Sequence, residues 1–146
     1  MLFRSDVNDL YAVRGALEGL ASAEFARHDS PEQIAQLRAA LDVLRTPAAS
    51  ASTQSLLSAK NAFYAVLLEG CGNRMIGELL TQLNNRVNAL RRVSLSSEGR
   101  LSQTLQELDG VVQAIEARQP EEAQRLSSAH VVRAAEVVRA SFQDKD

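Results

Sequence analysis

Five side chains with chemistry to offer interrupt the apolar stripes of this sequence: Arg14, Lys60, Tyr64, Arg86 and His130. Arg14 falls between Leu10 and Leu17, Arg86 between Leu83 and Leu90, and His130 between Leu126 and Ala134, each at the three-or-four spacing of a helix face. Lys60 and Tyr64 lie one turn apart within a stripe of Leu56, Leu57, Phe63, Leu67 and Leu68. An ammonium among apolar neighbours is costly to bury alone. Lys60 therefore requires an anionic partner, from the protein or from a ligand, or a lowered pKa. Each residue also has a plainer reading. Arg14 can pair with Glu18 one turn on, Arg86 can snorkel from a stripe edge, Tyr64 can be a core aromatic, and His130 a satisfied structural histidine.

Other chemistries find little support. There is no HExxH, no glycine-rich phosphate loop and no GxSxG, and only two histidines are available for a triad, so no enzyme is expected. Tyr64 and one interior histidine do not make the three or four donors of a metal site, and no cofactor is expected. The single cysteine, Cys71, excludes an intramolecular disulfide and reads as a small residue at a helix junction, in keeping with a reducing cytoplasm. Sixteen basic residues are spread among 18 acidic ones for a net charge of −2, with no basic run longer than Arg91-Arg92. That is not a nucleic-acid footprint. No apolar run approaches the roughly 20 residues of a membrane span, and MLFRSDVNDL lacks the apolar core of a signal peptide. A cytoplasmic protein without membrane contact is expected.

The elements that position these side chains are helical. The 146 residues suit one domain (1–146), and a composition rich in Ala, Leu, Arg, Glu and Gln, with 4% aromatics and three prolines, indicates an all-α fold. Leu10, Val13, Leu17, Leu20 and Ala21 mark a first helix over 6–28. Ser30-Pro31-Glu32-Gln33 is a start signal for a second, carried by Ile34, Leu37, Leu41 and Leu44. Thr46-Pro47 ends it, and a small-residue linker leads to a third helix that stops at Gly70-Cys71-Gly72. Asn73 caps a fourth, with a stripe through Ile76, Leu79, Leu80, Leu83, Val87 and Leu90 and an end near Leu95. Leu101 to Ile115 define a fifth, and Pro120-Glu121-Glu122 starts a sixth with two adjacent apolar stripes. Such a wide apolar face suits a central position or a subunit contact. An antiparallel bundle of about six helices follows.

In order and spacing, DVNDLYAVRGALEGLAS, NAFYAVLLEGCGNRMIGELL, LQELDGVVQAIEARQPEEA and SAHVVRA resemble the helical C-terminal ligand-binding (FCD) domain of GntR-superfamily, FadR-branch bacterial transcription regulators. The resemblance runs from about Asp6 to about Phe142. It implies a metal site at four positions, of which Lys60, Tyr64 and Leu108 have lost the family's aspartate and histidines while His130 keeps its own. One histidine does not hold a divalent ion, so the resemblance carries over the fold and not the metal. Arg14 matches the family's first-helix arginine.

The resemblance implies an effector-sensing and dimerisation domain. A small organic anion, such as a carboxylate, sugar acid or acyl derivative, is expected to bridge Lys60 and Arg14 beside Tyr64 and His130, with Arg86 as a further candidate. Its rival is a degenerate pocket in which Lys60 pairs with a protein carboxylate. The family's winged-helix DNA-binding domain has no room in this chain, so DNA contact is expected only through a separate domain, and the chain alone is expected to form a homodimer. Two readings of other classes remain: a phosphotransfer bundle using His130, which requires that histidine to be exposed, and a helical scaffold recruiting a partner through its sixth helix.

Overall fold

In a computed structural model the chain forms six α-helices, with no strand among the described residues, 4–28 and 30–143. Residues 1–3 of the N-terminal stretch lie outside them. The helices are α1 (Arg4–Arg27), α2 (Pro31–Leu44), α3 (Thr53–Gly70), α4 (Arg74–Leu95), α5 (Arg100–Glu116) and α6 (Pro120–Gln143). The linker before α3 contains a single 3-10 turn, Ala49–Ala51.

Local chemistry explains the boundaries. Ser30 Oγ accepts from the Gln33 amide with Pro31 at the first helical position of α2, and Ser52 Oγ accepts from the Ser55 amide to open α3. Asn73 Oδ1 takes the amides of Met75 and Ile76 and opens α4. Between α3 and α4 the chain reverses through Gly72 at φ 72°, where a β-carbon would stand 2.4 Å from the His28 ring. Only glycine satisfies both the left-handed backbone and that contact.

The helices pack most extensively as the pair α1 and α6; α6 also meets α4 and α5, and α1 meets α3, α4 and α5. Close approach there depends on small residues. A β-carbon on Gly19 would come within 2.6 Å of Ser128 Oγ, and Ser128 Oγ itself donates to the Gly15 carbonyl at 3.2 Å. Two apolar clusters result. The larger holds Phe25, Leu37, Leu41, Leu44, Phe63, Leu67 and Ile115, and the smaller Val7, Leu10, Tyr11, Val87, Leu90, Val131 and Val138. Along both α1 and α6 a group of buried polar residues separates them: Arg14 and Glu18 on α1, Ser127 and His130 on α6.

Two stripes differ from the sequence expectation. Val13 and Leu20 of α1 are exposed, at 49% and 36%, because the buried face is centred on Arg14 and both lie about 100° or more round the helix from it. Tyr11 takes an inward place instead, at 4% exposure. On α4, Leu79 is likewise exposed.

Candidate functional site

The polar layer is built from five helices. Arg14 and Glu18 come from α1, Lys60 and Tyr64 from α3, Arg91 from α4, Arg100, Thr104 and Glu107 from α5, and His130 from α6. Arg14, Glu18, Lys60, Arg91, Arg100 and His130 are all at most 5% exposed. Burial of this many ionisable groups in one small domain is unusual unless each is paired, so their pairing is informative.

At one end of the layer Arg14 is neutralised. Its Nε donates to Glu18 Oε2 at 2.5 Å and one terminal nitrogen reaches the Tyr64 hydroxyl at 3.3 Å. Burial alone would raise the Glu18 pKa, but the charges of Arg14 and Arg91 overcome it and hold the carboxyl below its usual range. The pairing of Arg14 with Glu18 considered from sequence is thus present, and it lies in the interior.

At the other end Glu107 holds Arg100 and His130. The Arg100 guanidinium meets both carboxylate oxygens at 2.9 and 3.0 Å, and His130 Nδ1 lies 2.6 Å from Oε1. Burial works against Glu107's ionisation, yet the bonds from His130 and Arg100 bring its pKa down to about 2. His130 itself is driven down to about 4, because burial, with nearby positive charge such as that of Arg14 behind it, outweighs the bond to Glu107. The imidazole is therefore neutral at pH 7, donates through Nδ1, and carries a lone pair on Nε2. That Nε2 has no hydrogen-bond partner among the described residues, nor do Arg91 Nε and Thr104 Oγ1.

Between these ends stands the Tyr64 ring. Arg91 Cζ lies 4.4 Å from its centroid, Arg14 Cζ 5.7 Å and Lys60 Nζ 6.0 Å. Cation–π attraction accommodates three such heads better than an aliphatic wall would. Arg91 also donates to Asn61 Oδ1 at 2.9 Å. Lys60, 2% exposed, has no hydrogen bond or ion pair among the described residues. Burial, then the positive charges of Arg91 and Arg14, hold its amine well below the usual lysine range. Burial likewise raises the pKa of the Tyr64 phenol, which stays protonated.

A cavity of about 250 Å³ opens beside this ring, lined by Arg14, Glu18, Tyr64 and Arg91 at its polar end and by Leu68, Leu80 and Val87 along an apolar wall. Asn61, Ala65, Thr81 and Asn84 complete the lining, and the exposure of Ala65, Thr81 and Asn84 places the mouth between α3 and α4.

Of the five residues singled out from sequence, the structure brings together Arg14, Lys60, Tyr64 and His130 in one layer. Only Arg14 and Tyr64 touch the cavity, while Lys60 and His130 are not in its wall. Arg86 does not join them. It is exposed, lying about 100° round α4 from Val87, and Arg91 points inward instead. Arg91 reads as half of a charged doublet, although its place at +4 from Val87 is the signal that would have found it. Glu18, Arg100 and Glu107 were also missed, because each looks like ordinary helical surface charge.

The positions that hold a metal in related domains do not fit one here. Lys60, Tyr64 and buried Leu108 offer no set of donors with His130, and no group of three or more His, Cys, Asp and Glu among the described residues is placed to hold an ion. The 2% exposure of His130 also removes the surface histidine that phosphotransfer needs.

Residues 9–133 match the protein family described as the FCD domain. No curated protein matches the chain as a relative. The chain belongs to the FCD family, the C-terminal regulatory domain of GntR-family transcription regulators.

Proposed function

We propose that this FCD domain senses a small organic anion, seated in the cavity beside Tyr64 and held chiefly by Arg91 with Lys60 behind the charge balance. The family is an effector-binding regulatory one rather than a catalytic one, and GntR regulators bind DNA. What supports an anion is the charge count of the buried layer. Arg14 is matched by Glu18 and Arg100 by Glu107, whereas Arg91 and Lys60 have no carboxylate bonded to them among the described residues. A carboxylate entering the cavity would meet the Arg91 guanidinium, whose Nε lacks a partner, and the Arg14 edge, while its carbon chain lies along Leu68, Leu80 and Val87.

Cavity size narrows the class. A volume of about 250 Å³ lies at the small end of ligand sites and suits an acid of roughly ten non-hydrogen atoms, not an acyl-CoA thioester. Asn61, Thr81 and Asn84 at the mouth suit a hydroxylated chain. In this reading the domain acts as a homodimer, and occupancy of the α1–α3–α4 cavity alters how two separate DNA-binding heads stand relative to each other.

A thermal-shift screen of lactate, succinate, citrate, gluconate and a short acyl-CoA tests the reading. At 100 times its dissociation constant a bound anion adds about 2.7 kcal/mol. The reading expects at least one of the small acids to raise Tm and the acyl-CoA to leave it unchanged. Retention of the shift in Arg91→Met would remove the assigned anchor.

A further inference from the structure

Three cationic heads share one aromatic ring, and only one of them is neutralised by a carboxylate. With Lys60 charged, the free protein would bury two unmatched positive charges against Tyr64 in a layer that water scarcely reaches. Arginine does not shed its proton in proteins, whereas a buried lysine does. Relief of the excess charge therefore falls to Lys60. No carboxylate of the layer is left over for it: Glu18 of α1 is taken by Arg14 and Glu107 of α5 by Arg100 and His130 of α6, while Tyr11 and Tyr64 are protonated phenols, Arg91 of α4 is held by Asn61, and His130 Nε2 carries no charge.

We propose that Lys60 is a neutral amine in the free protein and takes up a proton when an organic anion occupies the cavity, so that anion and proton bind together. The anion supplies the missing negative charge, and the ammonium becomes the form that the layer favours. The proton comes from solvent and no covalent bond is made or broken. This rests on the anion reading above and adds to it a pH-dependent affinity, with the lysine supplying a charge that varies with occupancy.

Two measurements test it. In the free protein, the urea midpoints of wild type and Lys60→Met are compared between pH 7 and pH 10.5. The variant's advantage at pH 7 should shrink, reverse in favour of the wild type before pH 10 and level off near pH 10.5, because the unfolded lysine binds a proton over that range and the folded one does not. Parallel curves would overturn the proposal whatever the ligand. Calorimetric titration of lactate, succinate and gluconate, in phosphate and in Tris, then counts protons. For each anion that binds, uptake should approach one proton, and affinity should fall about tenfold per pH unit between pH 7 and pH 9. Lys60→Met should bind without uptake or not at all. Binding without proton uptake in the wild type, or uptake that persists in Lys60→Met, overturns the proposal and leaves the anion reading standing. Absence of binding by all three acids removes both.

Discussion

Phe63 and Tyr64 are neighbours on α3, their rings in edge contact at 5.6 Å, yet they face two different kinds of interior. Phe63 is sealed among leucines and Ile115 in the larger apolar cluster, where shape and area set stability. Tyr64 packs into the edge of that same cluster but turns its ring to guanidiniums, an amine and a carboxylate, and borders a cavity. One side of the helix is filled for folding. The other meets unmatched charge, buried polar atoms without partners among the described residues and empty volume, which cost stability and are what a ligand site needs.

Substitutions can break that contrast. The largest loss should come from the filled side: Phe63→Ala leaves a cavity and should cost about 3–5 kcal/mol in urea unfolding. In the polar layer, Glu18→Gln strips the counter-charge from buried Arg14 and should cost about 3 kcal/mol, while the double change Arg14→Met with Glu18→Leu should restore most of it. Recovery by the double variant would show that the layer's ion pair is not what stabilises the bundle. Lys60→Met should move the other way, stabilising the free protein by about 1–2 kcal/mol at pH 7.

Acid sharpens the same distinction. His130 titrates near 4 when folded and near 6.5 when unfolded, so the unfolded chain takes up the proton first and stability falls as pH drops from about 6.5 to about 4. Glu107 follows, its folded pKa of about 2 lying below its ordinary 4.5, and its contribution is lost as pH falls from about 4.5 through about 2. His130→Gln should flatten the upper part of that decline and leave the lower part, as read from urea midpoints. The smallest effect should be Arg86→Ala, within about 0.5 kcal/mol and without influence on anion binding, because the side chain is exposed.

Much of this was legible in the residues. Serine, asparagine and proline at helix starts act locally, so the starts at Pro31, Arg74 and Pro120 could be read within a residue or two. The buried positions of Lys60, Tyr64 and His130 followed from periodicity, which reports the face of a helix. Periodicity does not report depth or rotation when the centre of the buried face is itself charged. In α1, Arg14 and Glu18 occupy that centre, so the apolar count favoured Val13 and Leu20 at the side. In α4 the same ambiguity selected Arg86 over Arg91. Glu107 was hidden for a different reason: Arg100 shares its face of α5 two turns earlier, but His130, which fixes that face as an interior one, is brought to it only by the packing of α6 against α5.

The most direct test of the central claim is calorimetric titration of wild type, Arg91→Met and Arg86→Ala with whichever of lactate, succinate, citrate and gluconate raises Tm most. Wild type and Arg86→Ala should each bind one anion per chain, and Arg91→Met should lose at least tenfold in affinity, about 1.4 kcal/mol. Equal affinity in Arg91→Met, or no heat from any of the four acids with the wild type, would contradict it.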